Sequence, residues 1–129
     1  MTRKSKVIAT LGNSTDSILE KIVDGGADAV LIDTYYGEEE ENVSRIEKIK
    51  QLREKLNKNT AIIYDLDHIY AQSKYKLIKI EEESVDFACK HDVDFIACPF
   101  VSNLDEIKKV KDILEKNNKK SWQKADNSI

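Results

Sequence analysis

Short apolar runs rich in β-branched residues alternate along the chain with longer segments whose apolar residues return every three or four positions. No other feature constrains the fold as tightly. The first run, residues 6–11, is stopped by Gly12 and Asn13, the mark of a strand entering a turn. Residues 14–24 follow with Ile18, Leu19, Ile22 and Val23 at helical spacing, Ser14 placed to cap and Gly25-Gly26 placed to stop. Residues 29–33 form a second run, apolar on both faces. The acidic residues 38–41 suit the positive end of a helix that continues through Val43, Ile46, Ile49, Leu52 and Leu56. Residues 60–65 make a third run and residues 94–98 a fourth, ended by Pro99. Between them, residues 66–80 are rich in Tyr and Lys, with 77–80 read as extended, and residues 81–91 read as a helix burying Val85, Ala88 and Cys89. Asn103 and Glu106 have capping-box spacing ahead of Ile107, Val110, Ile113 and Leu114.

The order is therefore α/β, a parallel sheet of four to five strands with alternating helices. In such sheets ligands gather beyond the carboxyl ends of the strands. Residues 1–116 are expected to form one domain, followed by a polar C-terminal tail, 117–129. A complete (β/α)8 barrel takes about 250 residues, so 129 residues exclude one in a single copy. Lys and Arg number 21 against 24 Asp and Glu, a net charge of −3 without the basic surplus that nucleic-acid binding needs. No apolar run reaches the length of a membrane span. Cys89 and Cys98 lack CxxC spacing and read as small buried hydrophobes. The cytoplasm is the expected location, with neither nucleic acid nor membrane as partner.

The wording of these segments, in order, resembles the pyruvate kinase family. Residues 5–12 (SKVIATLG) are similar to that family's first barrel strand, 21–30 (KIVDGGADAV) to its first helix and the strand beyond, 45–65 to its second helix and third strand, and 85–102 to its "VDFIA" segment. The resemblance implies a fold matching the N-terminal half of a pyruvate-kinase-like TIM barrel. An open doubly wound sheet is the alternative. It also implies departures. Leu31 stands where the family carries the arginine that holds substrate phosphate. Asp33 stands at an asparagine position and Tyr35 at a serine position, while Asp65 keeps a potassium-ligand position. The inserted domain that clamps ADP is replaced by about a dozen residues. In the tail, Lys124 falls at the catalytic lysine and Asp126 at a metal-binding glutamate; the second metal-binding acid and the last barrel strands are not matched.

Phosphoryl transfer depends on positioned positive charge, and one such contact is worth roughly 10²–10³ in rate. The expectation is thus a catalytically inactive, pyruvate-kinase-like homodimer that binds a small anionic ligand or regulates. The candidate metal residues are Asp33, Asp65, Asp67 and Asp126, with K+ or Mg2+ as the cofactor class; Lys124 is the candidate catalytic residue. Residual phosphoenolpyruvate chemistry and partnership with a full-length kinase are the other two readings. Tyr35, Tyr36, Tyr64, Tyr70 and Tyr75 are expected to cluster near one rim, and His68 and His91 to be solvated.

Overall fold

A computed structural model of the chain describes residues 4–33, 38–66, 74–98 and 104–128, and the side chains of all of these except 74–81 and 119–128. Among these residues four strands, β1 (Ile8–Leu11), β2 (Ala29–Asp33), β3 (Ala61–Asp65) and β4 (Phe95–Ala97), alternate with four α-helices. These are α1 (Leu19–Asp24), α2 (Glu39–Lys55), α3 (Lys74–Lys90) and α4 (Leu104–Ser128). The strands pair in parallel in chain order, β1-β2-β3-β4. A doubly wound sheet reverses its strand order at a switch point, and this sheet has no reversal.

Side-chain alternation then decides which face is covered. Val30, Ile32, Ile62 and Tyr64 point to one face and are buried. They share a single core with Leu19 and Val23 of α1, Ile46, Ile49 and Leu52 of α2, Val85 and Ala88 of α3, and Val110 of α4. All four helices therefore lie on the same side, as right-handed crossovers between sequential strands require. Each large aliphatic side chain so buried contributes about 1.5–3 kcal/mol. The other face, with Leu31, Asp33, Ile63 and Asp65, is only half-buried, so β2 is not covered on both sides as its composition suggests. A half-barrel wall, helices outside and a concave face within, is the architecture this describes.

Two elements differ from the sequence reading. Residues 77–80 are helical, not extended: a short apolar run is ambiguous by itself, and Leu77 leads into Glu81, Val85 and Ala88 at helical intervals within α3. The helix expected from residue 14 begins at Leu19. Asn13–Thr15 form a 3-10 turn in which Thr15 Oγ1 accepts from Gly12 N–H and donates to Gly12 O, both 2.9 Å, so Ser14 caps nothing. The backbone of α4 runs on through the polar segment to Ser128.

Three helix ends repeat one device. At Gly26, Asn57 and Asp92 the backbone turns left-handed, with φ of 94°, 52° and 54°. In each, that residue's N–H bonds back to the carbonyl three before it (Val23, Glu54, Cys89), and the next N–H to the carbonyl five before it (Ile22, Arg53, Ala88). This is the Schellman ending, and each one delivers the chain to the start of a strand.

An aspartate follows two of these turns with a common role. Asp28 Oδ2 accepts Val7 N–H at 2.7 Å, and Asp94 Oδ2 accepts Ile62 N–H at 2.8 Å. Each carboxylate fastens the start of its own strand to the neighbour before it. Arg53, reaching from α2 to Asp94 (2.9 Å) and to the Thr60 carbonyl (3.0 Å), extends the second fastening to the helix layer.

Candidate functional site

β2 and β3 end in register at Asp33 and Asp65. Alternation along the strands puts both carboxylates on the concave face, above the Leu31–Ile63 pair. Neighbouring parallel strands lie about 4.8 Å apart, so two half-buried carboxylates stand side by side at the end of the sheet where barrel proteins bind ligands. Their oxygens are the hard donors that K+ or Mg2+ prefers. Among the described residues no group of three or more His, Cys, Asp or Glu comes together as a metal cage. Of the other residues singled out by sequence, Asp67 lies outside the described residues. Lys124 and Asp126 lie on the α4 backbone, their side chains outside the description.

The tyrosine cluster loses its best-placed member. Tyr64 alternates onto the helix-covered face, where its ring packs against Phe87 with centroids 5.2 Å apart. Burial, with Glu39 nearby, pushes its hydroxyl up to about 12. Tyr35, Tyr36 and Tyr70 lie outside the described residues, as does the side chain of Tyr75. His91 is not simply solvated: it is half-buried and rests on Phe87, centroids 4.4 Å apart. His68 is outside the description. Cys89 and Cys98 are half-buried; burial raises the Cys89 thiol, helped by Asp86 and Asp92, which leaves it a poor nucleophile.

One polar centre at the carboxyl rim escaped the sequence reading. Arg45, on α2, is 3% exposed. Its Nε and Nη2 donate to Asp16 Oδ1 and Oδ2 (2.8 and 3.0 Å), and Nη2 also reaches Asn13 Oδ1 (2.8 Å) and Glu41 Oε2 (3.3 Å). Nη1 donates to Asn42 Oδ1 at 2.9 Å. The fork thus ties the loop after β1 to α2. Its hydrogen bonds hold the Asp16 carboxyl below the usual carboxylate range against a smaller opposing effect of burial. The signal was available: Asn42 and Arg45 fall in phase with Ile46, Ile49 and Leu52, so the apolar stripe of α2 carries two polar residues on its inner side. A cavity of about 460 Å³ opens beside this centre, lined by Asp16, Glu40, Ser44, Arg45 and Lys48 among others.

A larger cavity, about 820 Å³, sits at the opposite end, between Lys50, Arg53 and Lys58 on one side and Asp92, Asp94 and Phe95 on the other. It lies at the amino ends of β3 and β4, the end of a barrel sheet that carries stability rather than chemistry. We therefore place the candidate site at the carboxyl rim despite the larger hollow below.

Strands in chain order, helices on one face and acidic residues at the carboxyl rim define a (β/α)-barrel-type sheet protein. Comparison with known proteins makes the class specific. The chain is 38% identical over 86 residues to pyruvate kinase of Thermotoga maritima, a match covering 65% of this chain and 18% of that enzyme. It is 36% identical over 66 residues to pyruvate kinase of Haemophilus influenzae (50% and 14%) and 35% over 85 residues to that of Buchnera aphidicola subsp. Schizaphis graminum (64% and 17%). No family model matches the chain. It is a pyruvate-kinase-like protein, a partial homologue whose matched region spans less than a fifth of the length of these relatives.

Proposed function

We propose that this protein is a pyruvate-kinase-like binding module that works as a homodimer, holds a hard cation at Asp33 and Asp65, and does not transfer phosphate. The observation that carries the reading is the register pairing of Asp33 with Asp65 above Leu31 and Ile63. Among the described strand residues of this face, Thr10 and Phe95 join aliphatic and acidic side chains and none is basic, where phosphoryl transfer asks for fixed positive charge. Leu31, at the position of the family's phosphate-holding arginine, is the sharpest departure. Two adjacent carboxylates repel a bare anion, so a small anionic ligand enters through the cation that bridges it to Asp33 and Asp65. K+ or Mg2+ supplies there a positive charge that couples ligand to protein. The eight residues between Asp65 and Lys74 leave no room for a nucleotide clamp, which supports binding without turnover.

Titration calorimetry with KCl and MgCl2, followed by phosphoenolpyruvate in the presence of each cation, tests this. Cation heat in the native chain, lost in Asp33→Asn with Asp65→Asn, is the expected result. Absence of heat with either cation refutes the binding site. Pyruvate formation from phosphoenolpyruvate and ADP that disappears in Lys124→Ala refutes the absence of phosphate transfer.

A further inference from the structure

Among the described residues the large apolar side chains left exposed are Val7, Ile8, Ile18, Phe95 and Leu104. Their distribution is the observation. Val7 precedes β1, Ile8 begins it and Phe95 begins β4, the two outer strands of the sheet; Ile18 follows β1 and Leu104 follows β4. Ile8 is 53% exposed and Phe95 61%. The inner strands β2 and β3 contribute none. Apolar exposure thus tracks the two outer strands of the described sheet, and outer edges are a hazard unless covered.

The two edges also complement one another. In a parallel pairing the amino ends of neighbouring strands lie side by side. Lys4 and Lys6, both exposed, precede β1; Asp92, exposed, precedes β4, while Asp94 is held toward β3 by Ile62 N–H and Arg53. Setting β1 of one copy beside β4 of another brings the lysines to Asp92 at the amino end. It brings Val7 and Ile8 alongside Phe95 where the strands begin. At the carboxyl end it makes neighbours of the elements carrying Ile18 and Leu104. Basic meets acidic, and apolar meets apolar, at three levels of one seam.

From this we infer that β1 of each copy pairs with β4 of a second copy across two identical seams related by a two-fold axis along the strands. Two four-stranded sheets then close the eight strands of a parallel barrel, and Ile8, Leu31, Ile63 and Phe95 pass from a half-covered wall into a filled interior. The partner is a second copy of this chain because each edge finds its complement on the other edge of the same molecule. The arrangement is closed, so assembly stops at two. This deepens the two-copy part of the proposed function and is independent of its ligand.

Sedimentation equilibrium of the native chain at 1–50 µM (about the range in which standard interfaces are resolved), without phosphoenolpyruvate and with the added cations varied, reads the state directly. The native chain is expected as a dimer. Phe95→Lys and Ile8→Lys, each confirmed folded by circular dichroism, are expected at half that mass. Carbodiimide coupling of the native dimer is expected to join Lys4 or Lys6 of one copy to Asp92 of the other. A native monomer, a dimer that survives both substitutions, couplings confined to other residues, or open-ended polymers each overturn the inference. So does a chain that stays monomeric alone and associates only with a full-length kinase. A dimer that gives no cation heat leaves this inference standing and removes only the ligand reading.

Discussion

Replacing Arg45 by methionine keeps most of the buried stem and removes the charged fork, so its effect isolates the polar centre behind the carboxyl rim. Three losses add. Asn42 is 4% exposed and would keep a buried amide oxygen without its donor, which costs about 1–3 kcal/mol. Asp16 and Glu41 are both 46% exposed at the side chain, so water takes over their solvation, and their ion pairs contribute only about 0.5–1 kcal/mol each. Loosening of the loop after β1 is already contained in those terms. The expected total is about 3 kcal/mol, at the lower end of what breaking a buried pair costs. For a chain of this size that lowers Tm by roughly 10 °C. Thermal and urea melts at pH 7, fixed ionic strength and one protein concentration measure it. The acid limb supplies a second readout. Asp16 titrates below its ordinary value of 3.8 in the folded chain because Arg45 bonds it. The folded state therefore binds that proton less readily than the unfolded one. The stability so gained is complete above the ordinary value and is lost as pH falls through the folded value. Arg45→Met should flatten this loss. A variant that melts within about 1 °C of the native chain, or keeps the same acid limb, refutes the assignment of the centre.

Other expectations follow from single contacts. Asp92→Gly should stabilise by about 0.5–1 kcal/mol, because Asp92 holds a left-handed φ of 54° that glycine adopts without strain. Gly26→Ala should cost about 1 kcal/mol from φ alone, since an added Cβ there meets nothing within 4 Å; both are read from urea midpoints. Asp94→Ala strips the acceptor from the Ile62 amide and the partner from Arg53 and should cost about 2 kcal/mol; Asp94→Asn, which keeps an acceptor oxygen, should cost less. Tyr64 should ionise near 12 in an ultraviolet titration. Because its hydroxyl is raised in the folded state, the stability it contributes is present below its unfolded value and lost as pH climbs through the folded one. Tyr64→Phe should remove that part of the alkaline limb.

The fold was legible where periodicity was strong. Residues 29–33 and 60–65, and the α2 stripe Ile46, Ile49 and Leu52, say strand, strand and helix from spacing alone, and their alternation says parallel sheet. Residues 77–80 misled because four apolar and basic residues fit either period; only their continuation into Val85 and Ala88 resolves it. Composition groups Tyr64 with the rim tyrosines, but alternation from the buried Ile62 puts it on the helix side. The pairing of Asp33 with Asp65 could be anticipated from strand ends, since parallel register follows from equivalent positions after the same kind of turn. Arg45 could not be assigned its partners, because Asn13 and Asp16 lie about thirty residues away and meet it only once the helices share a face. The Schellman endings hid for a different reason: Gly26, Asn57 and Asp92 are three residue types in one conformation, so no repeated letter marks the repeated turn.

Strand order that equals chain order has a kinetic consequence. Ile8 meets Ala29, Ala29 meets Ala61 and Ile63 meets Phe95, so every seam inside the molecule closes a loop of roughly 20–30 residues, and the entropy of closure hardly grows from one seam to the next. Each strand can dock on its predecessor as soon as the intervening helix has formed, without waiting for distant chain, which favours rapid, first-order folding for a parallel sheet. A β1-to-β4 seam between copies obeys different kinetics. Its formation is bimolecular, so its rate scales with concentration while the inner seams ignore it. Refolding followed at two dilutions would separate the two kinds of seam in time.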